Sequence, residues 1–275
     1  MLSSIQDMKT LNDGIKMPGF GLGVYKVWED DEARQNVQTA IQHGYRLIDT
    51  ASFYQNEAGV GQGIKDSGVH RDDLFITTKV WNDEQGYDNT LRAFEASMNR
   101  LELDYLDLYL VHWPVKDYYR DTWKAMERLV DEGLIRSIGV SNFKQRHLED
   151  LMTTANVKPT VNQVEYHPHL QQHDVKTFCE QESIQLEAWS PLKRGDLFDD
   201  ETIQHIAQKH DKTPAQVILR WDVDTNVITI PKSVKEHRIV ENSDIFDFQL
   251  DQADLDAIKA LNGDERVGPN PDQFG

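Results

Sequence analysis

Short apolar runs alternate with longer polar segments along this chain. The runs have the length and composition of β-strands and lie near residues 19–24, 45–49, 74–79, 106–112, 135–140, 160–165, 185–190 and 227–230. The segments between them repeat apolar residues at helical spacing, near residues 32–43, 57–66, 88–103, 119–131, 145–155, 172–182, 202–209 and 214–222. Eight such units in 275 residues predict an α/β fold, a (β/α)8 TIM barrel in one domain spanning residues 1–275.

Two local patterns add detail to this prediction, and the positions of the glycines give only weak support to an open doubly wound sheet, which is the alternative fold. An Asn-Asp-Gly turn within residues 9–17 predicts an N-terminal β-hairpin, and Thr-Pro at 213–214 is typical of a helix start. An open doubly wound sheet would normally place a Gly-x-Gly-x-x-Gly turn between its first strand and helix. The glycines here lie instead within the first strand or inside a helical segment, at positions 19, 21, 23, 59, 61 and 63.

The net charge and the cysteine content indicate which binding partners and which cellular compartment to expect. A formal net charge of −18 argues against general binding to nucleic acid or to an anionic membrane. The single cysteine, Cys179, lies in a helical segment, where a packing role is expected, and it excludes an intrachain disulfide. Because we find no targeting segment and no membrane-spanning segment, we expect a cytoplasmic protein.

Polar side chains stand where three of the predicted strands end. Asp49, Lys79 and His112 each close an apolar run, and Tyr54 follows in the loop after the first of them. The carboxyl ends of barrel strands share one face of the fold, which is where such folds place their chemistry. The four side chains are therefore expected to converge.

These four residue types can protonate a carbonyl oxygen without a metal. A free phenol has a pKa near 10, and a neighbouring ammonium such as Lys79 lowers that pKa. Asp49 can keep the lysine charged in a partly desolvated site, and His112 can donate a hydrogen bond to a substrate oxygen. None of them can supply two electrons, so a hydride-donating cofactor is required. Each residue alone has an ordinary structural interpretation, and only the joint occurrence indicates a site.

Six ordered stretches carry a resemblance to a known family. They are 44–51 (Gly-Tyr-Arg-Leu-Ile-Asp-Thr-Ala) followed by Tyr54, Asn56 and Glu57; 78–81 (Thr-Lys-Val-Trp); 106–114 (Leu-Asp-Leu-Tyr-Leu-Val-His-Trp-Pro); 138–143 (Ile-Gly-Val-Ser-Asn-Phe); 162–165 (Asn-Gln-Val-Glu); and 230–233 (Ile-Pro-Lys-Ser). Through them the chain resembles the aldo-keto reductase family along almost its whole length. The resemblance implies an enzyme that uses NADPH/NADP+, with Tyr54 as general acid and Asp49, Lys79 and His112 as its partners.

The resemblance also implies a set of cofactor-binding residues. For the nicotinamide end these are Ser141, Asn142 and Gln163 on the carboxamide and Trp189 stacked on the ring. The loop that covers the pyrophosphate corresponds to Ser190, Pro191, Leu192 and Lys193. For the adenosine end they are Lys232, Ser233 and Arg238 around the 2′-phosphate and Glu241 and Asn242 at the adenine. The remaining members are Gly23, Val24, Asp49 and Val234, and Val24 stands where many relatives carry threonine.

A substrate pocket is expected beside the strand ends. Three tryptophans follow strands and could form apolar walls, and the candidate substrate-binding residues are Tyr25, Trp28, Tyr54, Trp81, His112 and Trp113. The resemblance is closest to the prokaryotic branch that reduces glyoxals, small dicarbonyls and diketo-sugar acids. The short stretch 115–120 and the short tail after Leu261 indicate an open pocket. An open pocket indicates broad specificity among small carbonyl compounds. We also expect a monomer.

Two other functions remain as alternatives. A nicotinamide-binding regulatory or sensor subunit would keep the cofactor residues but would not need all four of the convergent side chains. A metal-dependent hydrolase could use Glu165, His167, His169 and His173, but Pro168 interrupts that run and no helical pair of histidines is formed. We therefore expect no metal.

Overall fold

The computed structural model describes residues 2–274 and shows a short hairpin followed by a barrel of eight parallel strands. The hairpin consists of β1 (Met8–Thr10) and β2 (Lys16–Pro18). The barrel strands are β3 (Gly21–Gly23), β4 (Leu47–Asp49), β5 (Phe75–Val80), β6 (Leu106–Val111), β7 (Ile135–Ser141), β8 (Val161–Glu165), β9 (Gln185–Trp189) and β10 (Ile228–Thr229). The helices are α1 (Asp30–Gln42), α2 (Glu57–Asp66), α3 (Tyr87–Leu101), α4 (Tyr119–Asp131), α5 (Gln145–Met152), α6 (His173–Gln181), α7 (Glu201–His210), α8 (Pro214–Asp224), α9 (Glu236–Ser243) and α10 (Gln252–Lys259).

The sheet closes on itself, which confirms the barrel and excludes the open doubly wound alternative. The strands pair in sequence order from β3 to β10, and a parallel bridge joins Phe20 to Thr229 across the seam. Gly23 N donates to the Pro231 carbonyl oxygen at 3.2 Å at the upper end of the same seam. Both seam strands are shorter than the sequence predicts. Pro231 has no N–H, so β10 cannot continue its ladder through this residue.

The predicted hairpin covers the end of the barrel where the strands begin. Its antiparallel register pairs Met8 with Pro18. Asn12 Nδ2 donates to the Pro159 carbonyl at 2.9 Å, just before β8. Apolar residues of the hairpin, such as Met17, pack with inward side chains of the barrel strands. The opposite end of the barrel is therefore the face on which a site can form.

The helices differ from the sequence expectation mainly in the C-terminal part of the chain. The helix start at Thr213 is confirmed: its hydroxyl accepts from Gln216 N at 3.3 Å, and the Gln216 side chain accepts from Thr213 N at 2.9 Å. Helix α10 was not predicted, although Asp251 caps it by accepting from Asp254 N at 3.0 Å. Cys179 is buried on α6, as expected for a packing residue.

The glycines of α2 allow three close helix approaches. A Cβ at Gly59 would overlap the Asp30 carbonyl oxygen, and one at Gly61 would overlap the Leu101 carbonyl oxygen. At Gly63 the nearest atom would be the Arg34 carbonyl oxygen, at 2.6 Å. These glycines therefore pack α2 against α1 and the end of α3, which explains why they occur in a helix despite their low propensity.

Gly61→Ala is expected to destabilise the protein although alanine is the better helix former. Propensity favours alanine by about 1 kcal/mol, but overpacking against the Leu101 carbonyl should cost about 1–3 kcal/mol. The expected result is a net loss of up to about 2 kcal/mol. Urea unfolding followed by circular dichroism measures the change. The control is Gly263→Ala, where a new Cβ would make only ordinary contacts with Glu265. Equal stability of Gly61→Ala and the wild type would contradict the packing argument.

Candidate active site

The four convergent residues meet at the carboxyl ends of three adjacent strands. Asp49 ends β4, Lys79 lies near the end of β5, and His112 follows β6 directly. Tyr54 lies in a short helical turn after β4. Lys79 Nζ donates to Asp49 Oδ1 at 2.6 Å and to Tyr54 Oη at 3.4 Å. The structure thus brings the carboxylate, the ammonium and the phenol into one connected group.

Burial controls the ionisation of this group. Burial alone would lower the pKa of Lys79, but the Asp49 carboxylate reverses that effect and leaves the Lys79 pKa above its ordinary value. Burial also raises the pKa of Tyr54 to about 12, although the Lys79 charge opposes the rise. The Lys79 charge therefore lowers the phenol pKa in the expected direction, and desolvation of the buried phenol is the larger, opposing effect.

His112 is neutral and lies among aromatic rings. Burial, followed by the Lys79 charge, lowers the pKa of His112 well below its ordinary value of 6.5. The imidazole packs edge-on against Trp81 and Tyr54, with ring centroids 5.0 Å and 5.9 Å away. Phe53 stacks on Trp81 with centroids 3.8 Å apart. A neutral imidazole can donate a hydrogen bond without adding positive charge to the site.

The other candidate pocket residues differ in accessibility. Trp28 is 53% exposed and Tyr25 is 41% exposed, and the two rings pack edge-on at 6.1 Å. Trp113 is only 6% exposed because Phe274 covers it, with ring centroids 4.6 Å apart. The structure therefore places Tyr25 and Trp28 where an incoming molecule can reach them, whereas Trp113 lies beneath the C-terminal tail.

The nicotinamide-binding candidates form one polar network beside the ion pair. Ser141 Oγ donates to the Gln163 carbonyl at 2.8 Å, and Asn142 Nδ2 donates to the His112 carbonyl at 3.0 Å. Trp189 Nε1 donates to Asn142 Oδ1 at 2.8 Å, which fixes the orientation of the indole. These contacts link the ends of β6, β7, β8 and β9 in one patch.

The loop after β9 is tied to the C-terminal tail. Ser190 has a positive φ of 52° and Lys193 one of 45°, so the chain turns sharply here. Lys193 Nζ donates to Glu265 Oε2 at 2.5 Å and contacts His169 Nδ1 at 2.9 Å. The next residue, Arg194, donates to the Val267 carbonyl at 3.1 Å. The only basic pair of this loop is thus engaged by the tail.

Glu165 anchors the C-terminal tail. It is the first residue of the 165–173 run, which was the alternative metal site of the sequence analysis. Its carboxylate accepts from Val267 N at 2.6 Å, from Gly268 N at 3.1 Å, and contacts His167 Nε2 at 3.1 Å. A Cβ at Gly268 would overlap the Trp189 ring, so only glycine fits this approach. No group of three or more potential metal ligands is found in residues 2–274. The run therefore holds the tail across the barrel mouth.

The adenosine-end candidates lie after β10 and on α9. Lys232 and Arg238 are exposed, and neither makes an ion pair within the described part of the chain. Ser233 Oγ accepts from Lys235 N at 3.1 Å, and Glu241 accepts from Thr213 Oγ at 2.9 Å. The other candidates in this region and at the seam are Val234, Asn242, Gly23 and Val24, of which Val234 is half-buried and the rest are buried. Two free cations in a chain of net charge −18 fit an anionic phosphate.

Comparison with known proteins decides the family. The family model described as "Aldo/keto reductase family" matches residues 19–263. The chain belongs to the aldo-keto reductase family. The chain is 60% identical over 274 residues to the glyoxal reductase of Bacillus subtilis (strain 168), covering 100% of this chain and 99% of the relative. It is 47% identical over 269 residues to the methylglyoxal reductase DkgA of Salmonella typhimurium, covering 96% and 97%.

A solved aldo-keto reductase shows the cofactor. The crystal structure of the Bombyx mori aldo-keto reductase AKR2E4 in complex with NADP matches with a TM-score of 0.91 at 37% identity, covering 99% of this chain and 97% of that one. The chain is accordingly an NADP-dependent oxidoreductase of this family. Within residues 2–274, no helix is both long enough and apolar enough to cross a membrane.

Sequence reasoning missed three contributors to the site. Phe53 adjoins Tyr54 in the chain, and this adjacency was the available signal. Phe274 and Gly268 approach Trp113 and Trp189 from the far end of the chain, and no local pattern indicates these contacts. The tail therefore lies at the mouth of the barrel, whereas its short length had indicated an open pocket.

The buried ion pair predicts a large asymmetry between single and double variants. Asp49→Asn leaves the Lys79 ammonium buried without a counter-ion and should cost about 3–5 kcal/mol of unfolding free energy. The double variant Asp49→Asn/Lys79→Met leaves no buried charge in the pair and should recover most of that loss. Guanidinium unfolding at pH 7 measures both. Losses that simply add would argue that the two charges do not interact.

Proposed function

We propose that this chain reduces small aldehydes, α-dicarbonyls and keto-sugars to alcohols with NADPH, with Tyr54 as the general acid. The observation that carries the proposal is the contact of one buried ammonium, Lys79 Nζ, with both Asp49 Oδ1 and Tyr54 Oη. The aldehydes and α-dicarbonyls follow the names of the two relatives, which are a glyoxal reductase and a methylglyoxal reductase. The keto-sugars follow the resemblance to the prokaryotic branch of the family.

Bound NADPH supplies the hydride. Tyr54 Oη and the neutral His112 imidazole donate hydrogen bonds to the substrate carbonyl oxygen and so fix its position. As negative charge develops on that oxygen, Tyr54 transfers its proton to it. The phenolate left behind is stabilised by Lys79, which Asp49 keeps charged. The rings of Phe53, Trp81 and Tyr54 give the pocket an apolar wall that suits a small carbonyl compound.

The ion pair also favours an enzyme over a regulatory subunit. Burying Lys79 and Asp49 together costs desolvation free energy that stability alone does not explain, since an apolar pair of similar volume is often no less stable. A subunit that only binds the nicotinamide cofactor has no use for a buried ammonium held against a phenol.

Tyr54→Phe removes only the hydroxyl and is expected to lower kcat/KM for methylglyoxal by about 10²–10⁴-fold, the contribution of one general acid. NADPH oxidation against glyoxals, simple aldehydes and keto-sugars measures the loss. NADPH affinity should be unchanged. The matched control is Tyr105→Phe. Tyr105 directly precedes β6, and its hydroxyl donates to Asp72. Activity of Tyr54→Phe within threefold of the Tyr105→Phe control would overturn the assignment.

Arg238→Met is expected to weaken NADPH binding and to leave NADH binding nearly unchanged. A 2′-phosphate carries close to two negative charges, and a guanidinium can bind two of its oxygens. Loss of such a contact should cost about 1.5–3 kcal/mol of binding free energy. Fluorescence titration with both cofactors measures it, and the NADPH effect should shrink as salt rises because Arg238 is exposed. Equal losses for both cofactors would show that Arg238 does not contact the 2′-phosphate.

A further inference from the structure

A second buried carboxyl group lies next to the ion pair and has no role in the mechanism above. Glu187 lies in the middle of β9 and is 0% exposed. Its register neighbours are Gln163 on β8 and Ile228 on β10. Gln163 Nε2 donates to Glu187 Oε2 at 2.8 Å, and Glu187 Oε1 has no hydrogen-bond partner in the described part of the chain.

The same amide nitrogen joins Glu187 to the ion pair. Gln163 Nε2 also donates to Asp49 Oδ2 at 2.7 Å. An amide nitrogen has two hydrogens, and each is directed to a carboxyl group. An amide oxygen in that position would face the Asp49 carboxylate, so this orientation of Gln163 is fixed. The amide oxygen, Oε1, would then be the atom of Gln163 that accepts from the carboxamide of a bound cofactor.

The charges around Glu187 do not balance if both acids ionise. The charged groups that face it are Asp49 from β4 and Lys79 from β5, while Gln163 on β8 and Ile228 on β10 add no charge. One ammonium would serve two carboxylates in a dry interior, which is unfavourable. Lys79 bonds directly to Asp49 and only the neutral amide bonds to Glu187, so the proton belongs on Glu187. In agreement, burial and then the Asp49 charge raise the pKa of Glu187 to about 8.

We propose that Glu187 is a positioning residue of the reduction site, which acts as a neutral acid through Gln163. It holds the Gln163 amide against Asp49 and leaves Asp49 as the sole negative charge beside Lys79. The inference rests on the proposed function. Loss of the Glu187 proton places a second negative charge beside Lys79 and opposes the negative charge that develops on the substrate oxygen. Reduction should therefore weaken when Glu187 ionises.

The first test compares pH profiles of kcat/KM for reduction by the holoenzyme. The wild type should fall from near pH 8, where Glu187 ionises. The profile of Glu187→Gln, normalised to its own maximum, should show no fall near pH 8, and any decline should begin about one pH unit or more higher. The matched control is Asp222→Asn, since Asp222 on α8 is equally buried and burial likewise raises the pKa of its carboxyl group. Its profile should match the wild type, and superposition of all three profiles would overturn the proposal.

Two further measurements do not depend on turnover. Difference infrared spectroscopy should show a protonated carboxyl band that titrates near pH 8 in the wild type and is absent from Glu187→Gln. Glu187→Leu should weaken NADPH binding by about 3–10-fold, the value of one lost neutral hydrogen bond, and Glu187→Gln should restore it. In a Gln163→Leu background the same Glu187→Leu change should have an effect below about twofold.

The outcomes separate this proposal from the proposed function. Full activity of Tyr54→Phe would overturn the proposed function, whereas the infrared band and the binding cycle would still report on Glu187. Equal weakening of NADPH binding by Glu187→Leu in both backgrounds would show that Glu187 does not act through Gln163. If Glu187→Leu does not fold, the Glu187→Gln profile and its infrared spectrum decide.

Discussion

The architecture of the site depends on keeping one ammonium charged inside a dry barrel. Lys79 is 0% exposed, and its stability there rests on Asp49 Oδ1 at 2.6 Å and on the Thr50 carbonyl at 2.8 Å. Both acceptors come from the strand next to β5 or the turn after it. The parallel register of β4 and β5 is therefore what makes the buried charge tolerable, and the role proposed for Tyr54 requires that this charge persists.

The sequence predicts the parts of this arrangement that follow from local periodicity. Apolar runs and helical spacing give the barrel, the Asn-Asp-Gly turn gives the hairpin, and three strand ends bring Asp49, Lys79 and His112 together. A parallel barrel fixes which ends meet, so strand-end chemistry can be inferred without knowing any distance. Helix α10 was missed because its short amphipathic pattern is indistinct and its cap, Asp251, resembles an ordinary loop acid.

Contacts between distant segments could not be predicted in the same way. Glu187 appears in the sequence as one glutamate in a short strand, and only the pairing of β9 with β8 places it against Gln163. The net pKa of Tyr54 was also beyond sequence reasoning, because it depends on how completely the phenol is desolvated and not only on which cation is near.

The anchored tail has a consequence for how the protein is made. Trp189 reaches its final surroundings only when Gly268 packs against it and the Glu165 carboxylate accepts from the tail backbone. Trp189 and Glu165 are both synthesised long before the tail emerges from the ribosome. The seam between Phe20 and Thr229 can also form earlier. A nascent chain can thus complete its barrel while its mouth is still open, and the aromatic surface at Trp113 and Trp189 is the last to be covered.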